Sequence, residues 1–599
     1  MIHSAKTCRR SFRSLRTPFA HRVRANGISC AMAIMCPAGF IGCTITSQKE
    51  PRKELGVDPT ASILANSAAY KDTIGSIAYF EGLAPMRVRG YGVVVGLGKN
   101  GSSDCPRPIY DRLIQNLYKQ HQFSSSVVGT RNITPEQLLA DLDTAVVVVQ
   151  GEIPPAAVTG TRFDVYVSAL PGTQTKSLRG GRLYTTDLEV FRVVTSDVSI
   201  TGQVLARAAG PLFYNPFSDE SSATQVNPLE AVVIGGGGAV TDRRLRLVLQ
   251  NPSYTYAQRI QDRINAQFPG SKKAADAVSP SFVQLRVPDE FENDRGHFLN
   301  LVRALYLSRD PQFEAVRATE LAEELLIPTA PHAQISLCFE GLGRAALPVL
   351  GELYGHAKDY VSFHAAVAGL RLDDHLAADT LALHAANPQS EHRFAAIRAL
   401  GEARSLGSTG FVLRKLLDDS DPRVQVAAYE AIFPRGDPAV HSEPLGGDNF
   451  ILDQVTTTQP NFVYAKRSGT RRIALFGRGL RCTPPLLYRS PDGGLTLNAA
   501  DGESNVTVLR SVVARGSSSP EIPAPLELAP LLRLLGDDAG TSADGEATGL
   551  GLPYADVVRT AQVLAQSKSM NAGFVLEQPN AMEMFGPPRT VGRPESELR

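Results

Sequence analysis

Gly160-Thr161-Arg162-Phe163-Asp164-Val165-Tyr166-Val167-Ser168 alternates Phe163, Val165 and Val167 with Asp164, Tyr166 and Ser168. A period of two puts the first set on one face and the second on the other, so the segment reads as a half-buried strand entered through a Gly160-Thr161 turn. The same chemistry recurs on both sides of it. Val93-Val94-Val95 and Ala145-Val146-Val147-Val148-Val149 are short β-branched runs bounded by glycine or aspartate, as buried strands are. Leu245, Leu247 and Leu249 alternate with Arg246, Val248 and Gln250, giving another strand. Pro154-Pro155 ends a strand, because proline has no amide hydrogen for the ladder. Tyr110–Gln120 and Tyr256–Phe268 read as helices, the second with Ile260, Ile264 and Phe268 on one stripe. Residues 73–307 are expected to form a β-rich α+β module.

The whole chain has 599 residues, 43% hydrophobic and 20% charged, room for three or four domains. This composition excludes a polar disordered chain, a collagen and a multi-span membrane protein. Lysine plus arginine number 61 against 60 acids, which argues against a strongly basic nucleic-acid binder, and no nucleic acid is expected as a partner. Gly96-Leu97-Gly98-Lys99-Asn100-Gly101 matches G-x-G-x-x-G after a strand. A dinucleotide site needs a helix opening at the third glycine. Pro106 and Pro108 follow instead, so the motif reads as a turn, and Gly235–Gly238, which lacks the Lys-Ser/Thr of a phosphate loop, reads as a flexible turn too. G-x-S-x-G, H-E-x-x-H and paired C-x-x-C motifs are absent, and catalytic residues, cofactors and metal ligands are all expected to be none.

The N-terminal segment is basic, with Lys6, Arg9, Arg10, Arg13, Arg16, Arg22 and Arg24 and no acid before Cys43. An apolar stretch from Ile28 to Phe40 follows, too short for the roughly 20 residues a bilayer span needs, and reads as the core of a signal peptide. Phe40-Ile41-Gly42-Cys43 resembles a bacterial lipobox. That likeness implies that residues 1–42 are a lipoprotein-type signal, that Cys43 is lipidated and that the chain is held at a membrane by its lipid anchor. Thr44 stands where an aspartate would signal inner-membrane retention, which implies the outer membrane. Cys8-Arg9-Arg10-Ser11-Phe12 is a fainter likeness to a twin-arginine export motif, far from the apolar stretch. Residues 43–72 read as a tether. Cys105, Cys338 and Cys482 remain, widely separated; one pair among them could form, but buried free thiols fit the spacing better.

Several blocks occur in one order: Ile74–Gly82 (IGSIAYFEG), Gly90-Tyr91-Gly92-Val93-Val94-Val95-Gly96-Leu97, Glu152-Ile153-Pro154-Pro155, the stretch Gly160–Ser168, and Lys176-Ser177-Leu178-Arg179-Gly180-Gly181. Gly235–Val240, Asn251-Pro252 through Ile264-Asn265 and Phe268, and Val283–Pro288 continue the series. In these blocks the chain resembles the bacterial flagellar P-ring protein family. The resemblance implies a non-catalytic structural subunit of the basal body. It would polymerise with itself into a ring around the rod, in the periplasm and peptidoglycan layer, beside rod and L-ring proteins, and support motility. Lys176 and Arg179, next to Gly180 and Gly181, read as an exposed cationic loop. The loop is either a solvated turn or a contact with a neighbouring subunit or anionic cell-wall polymer, and the resemblance favours the contact.

Residues 308–440 are rich in alanine and leucine and repeat themselves. His364-Ala365-Ala366-Val367-Ala368-Gly369-Leu370 aligns with Phe394-Ala395-Ala396-Ile397-Arg398-Ala399-Leu400 and with Val426-Ala427-Ala428-Tyr429-Glu430-Ala431-Ile432. This reads as a HEAT-like α-solenoid of three to four helix pairs, a surface for an unidentified protein partner. His356, His364, His375, His384 and His392 lack metal-ligand spacing and read as ordinary surface or core residues. Residues 445–515 read as short strands. Phe462 to Leu497 is weakly similar to the end of P-ring proteins, with Ala465-Lys466 where the family has Asn-Glu; if the similarity holds, the solenoid is an insertion in that fold. Residues 516–599 read as linkers (Ser517–Pro530 and Gly536–Gly551), a short helix at Tyr554–Gln566 and a flexible tail. The lipid anchor and the solenoid depart from the family, and leave open a second reading, a non-flagellar envelope lipoprotein scaffold that reuses the module.

Overall fold

The computed structural model describes residues 68–121, 134–190, 203–214, 227–270, 272–292, 294–403, 406–447, 449–490, 494–512, 517–518, 521–541 and 547–578. The signal segment, Cys43 and most of the tether lie outside the described residues, as does 579–599.

The first half contributes β1 (Ala78–Glu81), β2 (Met86–Val95), β3 (Thr144–Ile153), β4 (Arg162–Ala169), β5 (Arg182–Val190), β6 (Val204–Pro211), β7 (Glu230–Ala239), β8 (Leu245–Leu249), β9 (Ala275–Ser279) and β10 (Phe282–Leu285). Six of them close into a barrel, β2-β3-β4-β7-β6-β5. Its interior is filled by Val94, Ala145, Val147, Val149, Val165, Val167, Leu183 and Leu188. Helices α1 (Ile74–Ile77), α2 (Arg107–His121) and α3 (Pro135–Ala140) accompany these strands. Val146 and Val148 point outward and are covered by Leu113 and Leu117 of α2. The Ala145–Val149 run is apolar throughout because both of its faces are buried.

The glycines of this module are spatial requirements. A Cβ on Gly90 would lie 2.2 Å from the Asp187 carbonyl oxygen and one on Gly92 2.3 Å from Thr186 Oγ1, where β5 carries an extra residue against β2. Gly235–Gly238 is not a flexible turn but part of β7. Gly235 and Gly236 form a bulge there, between Gly237, which pairs with Phe163, and Val233, which pairs with Val165. The Phe163 ring lies over both Gly237 and Gly151, leaving a Cβ at either position within 2.7 Å of ring carbon. An aromatic ring on one strand fills the space the flanking glycines leave.

A second sheet, β1-β8-β10-β9, is covered by α4 (Tyr254–Gln267) and α5 (Arg295–Ala304) through Ala257, Ile260, Ile264, Phe298, Leu301 and Val302. The helix expected at Tyr256–Phe268 starts two residues earlier, where Ser253 caps it by accepting from the Tyr256 amide.

Among the described residues eight α-helices follow: α6 (Pro311–Leu325), α7 (His332–Leu342), α8 (Leu347–Leu353), α9 (Asp359–Arg371), α10 (His375–Ala386), α11 (Arg393–Glu402), α12 (Gly407–Leu416) and α13 (Pro422–Ile432). The repeated sequence occupies α9, α11 and α13, which with α7 lie in one row. Small residues set the spacing, since a Cβ on Gly401 of α11 would lie 2.7 Å from the Ala431 Cβ of α13. Arg263 of α4 ties the array to the first module, donating to the carbonyls of Tyr306 at 2.9 Å and Gly341 at 2.7 Å.

Beyond the array, β11 (Val440–Leu445), β12 (Phe450–Val455), β13 (Phe462–Ala465) and β14 (Arg472–Phe476) form a sheet in the order β11-β12-β14-β13, extended by Gly573–Leu576. β15 (Leu486–Arg489), β16 (Leu495–Ala499) and β17 (Asn505–Val512) form another, with Ile522–Pro525 pairing β17. Ser517–Pro530 and Gly536–Gly551, expected as linkers, carry regular structure among the described residues, the second as the paired strands Gly540–Thr541 and Ala547–Gly549. Leu528–Gly536 is a helix, α14, whose Leu528, Leu531, Leu532 and Leu535 are fully buried. The serines and prolines around it masked a one-sided leucine stripe. α15 (Tyr554–Gln566) packs in the same core, and Gly573–Leu576 beyond it is a paired strand, not loose tail. Cys338 and Cys482 are buried free thiols and Cys105 is a partly exposed one.

Candidate interaction site at one end of the barrel

The strand order sorts the connections to the two ends of the barrel. One end is engaged by the chain itself. The Arg243 guanidinium donates to the carbonyls of Ile153 (3.0 Å), Pro154 (2.9 Å), Gly82 (3.1 Å) and Ala84 (2.8 Å), clasping the ends of β1 and β3 together. Arg295 of α5 reaches Thr161 Oγ1 at 2.8 Å beside it.

The other end carries the loops after β2 and β4. The G-x-G stretch leaves β2 with Gly96 at φ +83° and Gly98 at φ +63°. Its amides are taken by a carboxylate: Gly98 N donates to Asp143 Oδ1 at 2.5 Å and Gly96 N to Asp143 Oδ2 at 3.3 Å. An internal acid therefore occupies the donors that a phosphate would need. The Asn100 carbonyl accepts from the Lys176 amide at 2.8 Å, which ties this loop to the next.

In Lys176-Ser177-Leu178-Arg179-Gly180-Gly181 each position has a distinct physical role. Leu178 is fully buried and closes the barrel core, its amide donating to the Pro228 carbonyl at 2.9 Å. Lys176, Arg179 and Gly180 are exposed, and Gly180 turns the chain at φ +71°. Gly181 is buried, and a Cβ there would lie 2.4 Å from Val94 Cγ1 and 2.7 Å from Leu97 Cδ2. Leu178 pointing inward thus forces its charged neighbours outward. Lys99 and Arg182 are exposed at the same end, and among the described residues none of these four cations has an ion-pair partner. Arg179 acts on the buried Tyr214: burial pushes the phenol up and the arginine charge partly opposes it.

The flank of the barrel meets the C-terminal sheet. Asp164 on β4 accepts from Gly235 N at 2.6 Å and from the Gly469 amide, while its burial raises its pKa. The Arg467-Ser468-Gly469-Thr470 turn thus rests on the β7 bulge. Glu577 holds the same turn from behind, accepting from Arg467 N at 2.6 Å and Ser468 N at 2.9 Å.

Among the described residues no group of three histidine, cysteine or acidic side chains is placed to hold a metal ion. Sequence reading singled out Lys176, Arg179, Gly180 and Gly181, which the structure brings together. It passed over Lys99 and Arg182, which join them only through barrel closure, and over Arg243, whose signal was an arginine preceding an alternating strand.

Exposed cations on two tied loops thus stand at one end of a barrel whose other end is fastened to its own chain. Residues 73–317 match the family model described as flagellar P-ring protein. The "Flagellar P-ring protein" of a Bradyrhizobium species is 32% identical over 259 residues, covering 41% of this chain and 63% of the relative. That of Caulobacter vibrioides is 32% identical over 241 residues, covering 38% and 58%, and "Flagellar P-ring protein 1" of Bradyrhizobium diazoefficiens is 29% identical over 262 residues, covering 42% and 64%. The match spans about three fifths of the length of these relatives. Over residues 73–317 the chain is similar to flagellar P-ring proteins.

Proposed function

We propose that the chain is a structural, non-catalytic subunit of the bacterial flagellar basal body. Copies of it would form a ring around the rod within the periplasm and peptidoglycan layer, next to rod and L-ring proteins. The observation that carries this reading is the family match from 73 to 317, which takes in the whole barrel and the sheet beside it. In this reading Lys176 and Arg179 contact an acidic patch of the next subunit or the anionic cell-wall polymer, and Gly180 and Gly181 shape the loop that presents them. A contact between different patches on successive copies is the kind that closes into rings. Lipidated Cys43 holds the chain at the outer membrane, and the helical array, HEAT-like in its repeats, faces an unidentified protein partner.

The test is genetic and biochemical. Deleting the gene is expected to abolish swimming, and the double variant Lys176→Glu, Arg179→Glu is expected to leave the chain folded but weaken its assembly, most strongly at low salt. Full motility in the deletion strain would refute the reading.

A further inference from the structure

Four histidines meet at one edge of the helical array. His332 opens α7, His364 lies in the second turn of α9, His384 in the last turn of α10, and His392 is the cap residue of α11. Ring centroids stand 5.5 Å apart for His332 and His364, 5.8 Å for His364 and His392, and 6.4 Å for His384 and His392. Phe363 is stacked on His392 at 4.4 Å, and Tyr360 covers His332 at 4.6 Å. The hydrogen bonds are those of neutral rings. His332 Nε2 donates to the Ile327 carbonyl at 2.9 Å. The Ser362 hydroxyl donates to the Tyr354 carbonyl at 2.8 Å, so its oxygen accepts from His384 Nε2 at 3.1 Å. That leaves His384 Nδ1 to accept from the Ser390 hydroxyl at 3.2 Å. A proton on Nδ1 would face a hydroxyl whose oxygen already accepts from the His392 amide at 3.3 Å.

The surrounding charges divide. Asp359, in the first turn of α9, favours the charged form of His384 and His392, and Glu391 that of His392. Among the described residues none of the four rings makes an ion pair with a carboxylate. Against the two acids stand the rings themselves and the N-termini of α7, α9 and α11, whose free amides carry partial positive charge. Two fixed cations add to them. Lys358 lies 5.8 Å from the Tyr360 ring, and Arg393 follows His392 and donates to the Ala385 carbonyl, one residue from His384, at 2.9 Å. The remaining ionisable groups are engaged: Asp419 pairs with Arg393 at 2.5 Å, Asp374 accepts from the Tyr354 hydroxyl at 2.6 Å, and His356 Nδ1 accepts from the Lys358 amide at 3.1 Å. Burial, with the charges of His332 and His392, pushes His364 down to about 4, and His384 and His392 shift the same way.

We propose that the four histidines form a proton-operated latch: uncharged, they close the edge where α7, α9 and α11 begin, and protonated they part, opening the array there while the barrel stays closed. The opened edge titrates near the ordinary histidine value of about 6.5 and the closed edge below it, so the latch holds above that value and loosens as the pH falls towards about 4. For His364 alone, opening becomes about thirtyfold more frequent at about pH 5. Strands β2 to β7 carry no histidine, so the barrel lacks this response. Acidity thereby sets whether this edge of the array is formed. The inference uses nothing of the ring reading.

The test is amide hydrogen exchange of the full chain by mass spectrometry at about pH 7.5 and about pH 5, corrected for the intrinsic pH dependence of exchange. Opening of His332–Leu342 and Asp359–Arg371 is expected to rise about thirtyfold or more at the lower pH, and that of Arg162–Ala169 in the barrel by less than about threefold. The double variant His364→Gln, His392→Gln is expected to lose most of the array's response. Exchange of the ring C2 hydrogens in the parent chain reads the histidine pKa values with no substitution, and His364 is expected well below the ordinary value. An array that opens equally at both pH values, a barrel that opens as much as the array, a double variant with the parent's response, or an ordinary pKa at His364 would each overturn the proposal.

Discussion

Asp453→Ala is the sharpest single perturbation of the join between the helical array and the C-terminal sheet. Asp453 lies on β12 with a fully buried side chain. It accepts from Arg472 Nη1 at both oxygens, 2.9 and 2.6 Å, from the Tyr429 hydroxyl of α13 at 2.5 Å, and from Ser442 Oγ. The alanine leaves the half-buried Arg472 cation uncompensated and takes the partner from the buried Tyr429 hydroxyl. Breaking a buried ion pair from one side costs about 3–5 kcal/mol, and an orphaned buried hydroxyl about 1–3 kcal/mol. Arg472 keeps its stacking over Phe433, 4.3 Å from the ring centroid, so the lower part of the combined range applies, about 4 kcal/mol. Removing both charges, Asp453→Ala with Arg472→Met, leaves no lone cation and should recover more than half of the loss. Hydrogen exchange read by mass spectrometry over Pro422–Ile432 and Phe450–Val455 reports the local opening free energy, and about 4 kcal/mol corresponds to roughly a thousandfold faster exchange. A change below about tenfold in the single variant, or a double variant no better protected than the single, would refute the reasoning.

Three further outcomes follow from particular contacts. His332, His364, His384 and His392 cluster on the array, with ring centroids 5.5 Å apart for His332 and His364 and 5.8 Å for His364 and His392. Burial, aided by the neighbouring histidines, pushes His364 down to about 4, and His384 and His392 shift the same way. Below the unfolded value near 6.5 the unfolded chain binds the proton more readily, so stability should fall as pH drops from about 6.5 towards 4, by up to about 1.4 kcal/mol per pH unit per group. Asp359 and Glu391 oppose part of the shifts at His384 and His392, and a melting temperature flat from pH 7 to 5 would contradict the expectation. Gly181→Val should cost about 1–3 kcal/mol by driving its side chain into Val94 and Leu97, whereas Arg179→Ser on the exposed side of the same loop should leave the melting temperature unchanged. Arg243→Met removes the donors to four carbonyls and should destabilise by about 2–4 kcal/mol, seen as faster proteolysis between β1 and β2.

Much of the fold was legible where burial is two-sided or one-sided in a simple way. The Ala145–Val149 run announces a strand covered on both faces, and Tyr554–Gln566 announces a helix whose bounds the structure repeats. β6 was silent because its inward residues are Ala206 and Ala208, small side chains of low strand propensity that suit a narrow interior. The Gly235–Gly238 tract misled because what confines it lies far off in the chain, the Phe163 ring over Gly237 and the Gly469 carbonyl against Gly235 at the bulge. α14 was hidden by the serines and prolines around it. At the candidate site the loop from Lys176 to Gly181 could be found from its own residues, while Lys99 and Arg182 reach it through closure of the barrel.

Electron cryo-tomography of basal bodies in cells with the gene intact, deleted and restored tests the ring assignment most directly. The ring at the peptidoglycan level should vanish with the gene and return with it. An unchanged ring in the deletion strain would rule out a ring-forming role for this chain.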